Sequence, residues 1–309
     1  MDVVRVDASR EDPTYSRELC ERLESGDVLR LANTPFQPSP DDAALLRSQK
    51  QTGKSFHKNI AYKPNRDRTT GLDGADSAVA ERMNAILGAY SRGALQHLAR
   101  LLRDYAGKWQ VDYASFRPVE EEGRDLPLRH RNDLMHLDAF PTRPTNGGRI
   151  LRMFTNLNPD RPRVWATSDS FEEIAGRYAG PAGLRRAGGS LFSAQAVFGR
   201  AARLIGLRVP DRSPYDTFML GFHHYLKGNE EFQKTGRSHT IDFLPGESWI
   251  AFTDQVAHAV LSGQYALEQT CIVPYEAMVL PDRSPVAVLE RLAGRPLRNA
   301  RAGVEVIHP

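Results

Sequence analysis

The sequence lacks any apolar run near the ~20 residues that a membrane-spanning helix needs. Its first residues, Met1-Asp-Val-Val-Arg5, also lack the basic and then apolar pattern of a secretory signal peptide. Cysteine is scarce: Cys20 and Cys271 are the only two, which favours free thiols in a reducing compartment over a disulfide framework. Together these absences predict a cytoplasmic protein.

An excess of charge of one sign is also missing. The formal net charge is only +3, and the basic residues are scattered rather than gathered along one segment. Nucleic-acid binders usually carry a continuous basic groove with aromatic side chains, so we expect no nucleic-acid partner. The hydrophobic fraction of 40% and the charged fraction of 26% are those of a globular chain, which excludes disordered and collagen-like classes.

Periodicity predicts two blocks of short strands interrupted by helices. Helical patterns cover 13–24, 41–49, 75–106, 171–207 and 214–233. Strand patterns cover 27–31, 111–117, 133–138, 149–158, 239–243, 247–253, 258–261 and 267–273. The regular strand–helix alternation of an α/β fold is not found after residue 240. We therefore expect an α+β fold with a mainly β core, a double-stranded β-helix (jelly roll) with flanking helices and a helical insertion.

The same patterns suggest how the chain is organised. Residues 1–108 would form an N-terminal helical and strand region packed on the core. Residues 109–285 would form the jelly-roll core, with the helical insertion at about 166–234, and 286–309 would be a C-terminal tail.

The most specific local feature is His136-Leu137-Asp138, at the end of a strand pattern. Alternate residues of a strand point to the same face, so the imidazole and the carboxylate can bind one metal ion together. Two histidines and one carboxylate on one face of an octahedron leave three open positions, as in Fe(II) oxygenases. By itself the motif is short, and an exposed strand end is the alternative.

Four later histidines are candidates for a third ligand. His223 and His224 fall in a helical pattern, where adjacent residues do not share a face, so at most one can point at a given site. His239 begins a strand pattern and is a candidate for contact with substrate. His258 opens a strand directly after the strong strand pattern 249–254, which is the best position for an inward-facing ligand.

Several longer motifs resemble the Kdo hydroxylases, over about residues 55–280. The main ones are His136-Leu-Asp-Ala-Phe-Pro-Thr-Arg-Pro144, Arg149-Ile-Leu-Arg-Met-Phe-Thr-Asn-Leu-Asn-Pro159 and Thr253-Asp-Gln-Val-Ala-His-Ala-Val-Leu-Ser-Gly-Gln-Tyr-Ala-Leu-Glu-Gln-Thr270. Shorter supporting pieces are Lys58-Asn-Ile60, Ala114-Ser-Phe-Arg-Pro118 and Tyr215-Asp-Thr-Phe-Met-Leu220.

The resemblance implies a jelly-roll dioxygenase that uses Fe(II), 2-oxoglutarate and O2. It implies hydroxylation at C3 of the acidic sugar Kdo (3-deoxy-D-manno-oct-2-ulosonic acid) in Kdo-lipid A, which converts Kdo to Ko in the lipopolysaccharide inner core. It also implies that His136, Asp138 and His258 are the catalytic metal ligands. The substrate would lie on the cytoplasmic face of the inner membrane, so peripheral membrane contact is expected.

One part of the wider 2-oxoglutarate oxygenase pattern is missing. Many such enzymes carry an Arg or Lys shortly after the second His to hold the distal carboxylate of 2-oxoglutarate, but 265–271 contains no basic residue. A cation is still required. Arg152, on the strand after His-x-Asp, is the first candidate, with Asn156 on the same strand face as a further contact. Arg117 is the second candidate, and it could instead hold the sugar carboxylate.

One further expectation and two alternatives remain. The stretch Ser190–Arg208 carries an apolar face beside Arg200 and Arg203, which suits either a membrane interface or packing outside the barrel. The chain could be an Fe(II)/2-oxoglutarate oxygenase for another substrate, a nucleic acid or a small molecule. It could also be a non-catalytic jelly-roll sugar-binding protein, in which Tyr62 or Trp165 would stack on a sugar.

Overall fold

The computed structural model describes residues 1–10, 12–32, 34–50, 59–72, 74–186 and 211–299. The stretch Ser190–Arg208 and the end of the helical pattern 171–207 lie outside the described residues.

Seven α-helices occur among the described residues, and most were predicted. They are α1 Pro13–Glu24, α2 Pro40–Ser48, α3 Ser77–Leu101, α4 Phe171–Tyr178, α5 Pro214–Gly228, α6 Glu230–Thr235 and α7 Pro285–Ala293. The predicted helix 214–233 is two helices, because Asn229 has extended backbone angles (φ −86°, ψ 104°) and its side chain caps the second helix at Phe232 N. The segment from 286, expected as a tail, begins inside α7, whose apolar residues are buried.

The strands of the described residues form two sheets. They are β1 Val3–Arg5, β2 Val28–Leu31, β3 Ile60–Lys63, β4 Arg68–Thr70, β5 Gln110–Arg117, β6 Arg149–Asn156, β7 Arg163–Thr167, β8 His239–Phe243, β9 Ser248–Phe252, β10 His258–Ser262 and β11 Ala266–Val273. The larger sheet has the order β1-β2-β9-β6-β11-β5-β3-β4, and the smaller one has the order β10-β7-β8. This jelly-roll architecture agrees with the predicted fold class.

Each face of the larger sheet has its own partner. One face packs through Leu151, Met153 and Phe252 on helices α1 and α3, which present Leu19, Leu23, Leu87 and Leu98. The opposite, inner face packs on the smaller sheet. There Phe154 of β6 stacks on Trp249 of β9 at 5.2 Å and meets Trp165 of β7 edge-on at 5.0 Å. The space between the two sheets is therefore closed by aromatic rings along part of its length.

Two sequence expectations about strands were wrong. The pattern 133–138 is not a strand, because only His136 makes a bridge, to His258. Strand β7, which lies between β10 and β8 in the smaller sheet, was not predicted: its end overlaps the start of the helical insertion expected at about 166–234. In the described part of the chain, no helix has the length and apolar character needed to cross a membrane.

Candidate metal centre

His136, Asp138 and His258 meet between the two sheets. One ligand atom from each residue lies within 4.8 Å of the other two, and the group could hold a metal ion. His136 Nε2 is 3.7 Å from Asp138 Oδ1, and both imidazoles are buried. Folding thus brings His258 beside a pair of residues that is far away in the chain, as the sequence analysis expected.

Backbone hydrogen bonds hold the His-x-Asp segment beside β10. His136 N donates to His258 O at 3.0 Å, His258 N donates to His136 O at 2.9 Å, and Asp138 N donates to Thr253 O at 2.8 Å. The segment keeps the side-chain alternation of a strand without being one. Leu137 consequently points the other way, into the apolar cluster with Phe222 of α5.

Gln233, which the sequence analysis missed, fixes the approach to this segment. Its carboxamide accepts from Met135 N at 2.9 Å and donates to Met135 O at 2.9 Å, as a neighbouring strand would. It also donates to Leu226 O at 2.8 Å, which ties the segment to α5. A helix residue therefore takes the place of the missing strand partner.

The two imidazoles are oriented by main-chain carbonyls. His136 Nδ1 lies 2.7 Å from Leu134 O, and His258 Nδ1 lies 2.9 Å from Val256 O. A protonated Nδ1 donating to a carbonyl leaves Nε2 unprotonated, the atom that a metal ion binds. The His258 ring is further held by stacking on Trp165, with ring centres 4.7 Å apart.

The charge states also suit a metal ion. Burial and the charge of His258 hold the pKa of His136 well below its ordinary value, and burial lowers the pKa of His258. Burial alone would raise the pKa of Asp138, but Arg152 and the two imidazoles outweigh it and lower that pKa. The centre therefore presents two neutral imidazoles and one carboxylate near pH 7, as metal ligation requires.

An unused acceptor supports the same conclusion. Asp138 Oδ2 is buried and, apart from its ion-pair contact with Arg152, accepts no hydrogen bond from any residue that the structure describes. A buried carboxylate oxygen that accepts no hydrogen bond can take a further partner, such as a metal ion. Two histidines and one carboxylate, with further positions open, fit Fe(II).

The other candidate histidines do not join the three. His223 comes near, with its ring centre 5.1 Å from that of His136, but its Nδ1 lies 2.6 Å from Leu137 O and its role is to hold α5 against the segment. His224 contacts His223 rather than the centre. His239 is exposed at the start of β8.

Arg152 and Arg117 both lie beside the centre, linked by Glu268. Arg152 Nη1 is 3.2 Å from Asp138 Oδ2 and 3.3 Å from Glu268 Oε1. Arg117 donates to Glu268 Oε2 from Nε at 3.0 Å and from Nη2 at 2.6 Å, and it approaches Glu121 at 3.9 Å. Burial alone would raise the pKa of Glu268, but the two arginines lower it, so this carboxylate is ionised.

Glu268 and Arg163 extend the charged cluster and were missed from the sequence. Arg163 of β7 is buried, 3.6 Å from Glu121, and donates from Nη1 to Gly263 O at 2.9 Å. Burial lowers the pKa of Arg163 to about 10. The signal in the sequence was a charged residue within an otherwise apolar strand. Charged residues are rarely buried unless they are paired, so such a residue indicates a buried ion pair.

Asn156 is placed differently from Arg152, although they share a strand face. Its Nδ2 donates to Arg161 O at 3.1 Å and to Phe243 O at 2.9 Å, and its Oδ1 accepts from Asn158 N at 2.9 Å. The carboxamide is thus engaged in the turn between β6 and β7. Tyr62 and Trp165, the aromatics considered for sugar stacking, are 6% and 1% exposed, so neither offers an open stacking surface.

Comparisons with known proteins agree with this site. A sequence model of the family described as 3-deoxy-D-manno-oct-2-ulosonic acid (Kdo) hydroxylase matches residues 6–296. The chain is similar to the Kdo hydroxylase KdoO, a non-haem Fe(II) alpha-ketoglutarate (2-oxoglutarate)-dependent dioxygenase, with 32% identity in two crystal structures. In its complex with alpha-ketoglutarate and Fe(III), the match covers 96% of this chain and 98% of that chain, with a TM-score of 0.83.

In the complex of KdoO with cobalt(II), the match covers 98% of this chain and 99% of that chain, with a TM-score of 0.84. No curated protein sequence is significantly similar to this chain. The family model spans most of the sequence, and the similarity to KdoO covers both chains almost completely. The chain belongs to the Kdo hydroxylase family.

Proposed function

We propose that this protein is an Fe(II)- and 2-oxoglutarate-dependent dioxygenase that hydroxylates C3 of Kdo in Kdo-lipid A, converting Kdo to Ko. The observation that carries the proposal is the group of His136, Asp138 and His258, whose ligand atoms lie within 4.8 Å of one another, in a chain of this family.

His136, Asp138 and His258 would hold the iron through two Nε2 atoms and one carboxylate oxygen. Iron with 2-oxoglutarate bound supplies the oxidising chemistry: one atom of O2 enters the new C–OH group, the other enters succinate, and CO2 is released. The protein holds its imidazoles in one tautomer, keeps Asp138 ionised and excludes water with the aromatic wall between the sheets.

Arg152 would anchor the distal carboxylate of 2-oxoglutarate. Its guanidinium lies beside Asp138, and its buried Nε makes no hydrogen bond to the described residues, so it has a donor to offer. A buried carboxylate needs such a charged, hydrogen-bonding partner. Arg117 is the alternative anchor, although both of its contacting carboxylates, Glu268 and Glu121, already neutralise it. A contact from Asn156 stays a prediction and would require its carboxamide to leave the turn.

The lipid-linked acceptor would bring the protein to the cytoplasmic face of the inner membrane, as a cytoplasmic protein with peripheral contact. The stretch Ser190–Arg208 is the segment that would make this contact. Replacing Arg200 and Arg203 by Glu should weaken binding to anionic vesicles in a flotation assay. Unchanged vesicle binding would leave this stretch with a packing role only.

The deciding experiment is a mass measurement on Kdo-lipid A after incubation with the protein, Fe(II), 2-oxoglutarate and ascorbate. We expect the mass of one added oxygen atom on the Kdo unit and an equal amount of succinate. Asp138→Ala is the matched control and should give neither. If Kdo-lipid A stays unmodified while an oligonucleotide or a small molecule is hydroxylated, the protein is an oxygenase for that other substrate.

A further inference from the structure

Lys227, near the end of α5, is a buried lysine with no carboxylate partner among the described residues. It is 3% exposed, and its Nζ donates to the carbonyl oxygen of Arg129 at 3.3 Å. Within the described part of the chain, no ion pair to Nζ is formed. An ammonium group has three donors, so this one keeps unused hydrogen-bonding capacity in the protein interior.

The other buried cations near the centre are paired. Arg152 has Asp138 and Glu268 within ion-pair distance, Arg117 has Glu268, and Arg163 has Glu121. Burial of an unpaired charge is costly, and it lowers the pKa of Lys227 to about 8. Lys227 is thus the member of this set that has no ion-pair partner among the residues that the structure describes.

The position of Lys227 relates it to the metal centre. It lies one helical turn after His223, and residues four apart share a face of a helix. His223 holds that face against the His-x-Asp segment through Leu137 O, with its ring beside His136. The charge of Lys227 also acts on His136, and Asp138 is the carboxylate that acts most strongly on Lys227.

The chemistry of the substrate supplies the missing anion. An ulosonic acid carries its carboxylate on C2, the atom bonded to C3, so a sugar with C3 at the metal must place a carboxylate close to the centre. The distal carboxylate of 2-oxoglutarate has its proposed cationic partner in Arg152 or Arg117, both on strands of the larger sheet. Lys227 approaches from α5, a different element of the fold.

We infer that Lys227 binds the carboxylate of the Kdo sugar and so orients C3 toward the metal centre. The inference rests on the proposed function. It assigns acid-sugar specificity to α5 and co-substrate binding to the larger sheet.

The test combines two substitutions of Lys227 and one control variant with one altered substrate. Lys227→Met removes the charge with little change of length, and Lys227→Arg keeps it. Lys234→Met is the control, because Lys234 is an exposed lysine on the neighbouring helix α6. Each variant is assayed with Kdo-lipid A and with its Kdo carboxamide derivative, and 2-oxoglutarate affinity is measured by anaerobic titration of the Fe(II) protein.

We expect wild type and Lys234→Met to favour the carboxylate substrate over the carboxamide by about 30-fold or more in kcat/KM, the usual effect of breaking a buried charge pair. Lys227→Met should lose a similar factor with the carboxylate substrate and show no preference between the two. Lys227→Arg should retain part of the preference. The affinity for 2-oxoglutarate should be unchanged in all variants.

Three results would overturn the inference. The first is equal use of both substrates by the wild type, a result that does not depend on whether any variant folds. Another is Lys227→Met that prefers the carboxylate as strongly as wild type does, and the third is a loss confined to 2-oxoglutarate affinity. Each of these leaves Kdo hydroxylation by the wild type intact, whereas absence of that activity overturns the proposed function and this inference together.

Discussion

Replacing Arg152 by Met tests how the centre holds its co-substrate. The guanidinium of Arg152 lies 3.2 Å from Asp138 and 3.3 Å from Glu268, and its side chain is 11% exposed. The substitution removes the charge and the fork of donors while keeping an unbranched side chain of similar reach. Iron binding should persist, because the three proposed metal ligands and the carbonyls that orient the imidazoles are unchanged.

The magnitude follows from the burial of the pair. Removing one partner of a buried ion pair costs ~3–5 kcal/mol, and each 1.4 kcal/mol is a factor of ten in an equilibrium constant. Arg152→Met should therefore raise the dissociation constant of 2-oxoglutarate by roughly 100-fold to 4,000-fold. Stability should fall by the lower part of that energy range, since Arg117 still neutralises Glu268.

The assay is anaerobic titration of the Fe(II) protein with 2-oxoglutarate, followed by its visible charge-transfer band, alongside measurement of iron content. Arg30→Met is the control: Arg30 is a half-buried arginine of β2 whose ion pair, with Glu247, does not involve the centre. It should lower stability without changing the titration.

The reasoning about Arg152 fails if Arg152→Met titrates like the wild type. If, in addition, Arg117→Met abolishes 2-oxoglutarate binding, Arg117 is the anchor and the two arginines have exchanged roles. Loss of iron from Arg152→Met would instead show that Arg152 acts chiefly on Asp138.

Three further predictions concern residues around the centre. His258→Ala should lose bound iron and hydroxylation while the circular dichroism spectrum stays that of the wild type; full iron content would assign the ligand role to another histidine. Glu268→Gln should destabilise the protein by ~3 kcal/mol at pH 7, because it leaves two buried arginines short of a carboxylate. The pKa of Glu268 is lowered in the folded protein, so its ionised form contributes stability above the ordinary value of 4.5, and this contribution is lost as the pH falls through the lowered folded value. The difference in the free energy of unfolding between Glu268→Gln and wild type, measured with denaturant, should thus be smaller at acid pH than at pH 7. An equal difference at both pH values would argue against an ionised Glu268. Gln233→Ala should lower iron affinity about tenfold, since outer-shell partners of a metal site typically contribute that much or more, and unchanged affinity would show that the backbone bonds to His258 suffice.

Local sequence patterns determined much of the fold class and indicated the nearby His136 and Asp138 as candidate metal ligands. Helices α1 and α3 and strands β5, β6 and β11 follow from apolar periodicity, which reflects the burial of one face of each element. The relation between His136 and Asp138 needs only an extended backbone, and that requirement is satisfied although the segment is not a strand. The long motifs around these residues were specific enough to indicate the family by themselves.

The tertiary structure decided what depends on residues far apart in the chain. Only folding shows that Gln233 substitutes for a strand partner and that Glu268 lies between Arg152 and Arg117. The same holds for Lys227, which is buried with no carboxylate partner in the described part of the chain. A sequence pattern reports which face of an element is apolar, but the partner of a buried polar group comes from another element, at a distance set by packing. For that reason, the choice of His258 among four histidines was an expectation from sequence, whereas the enclosure of its ring between Trp165 and His136 is a property of the folded chain.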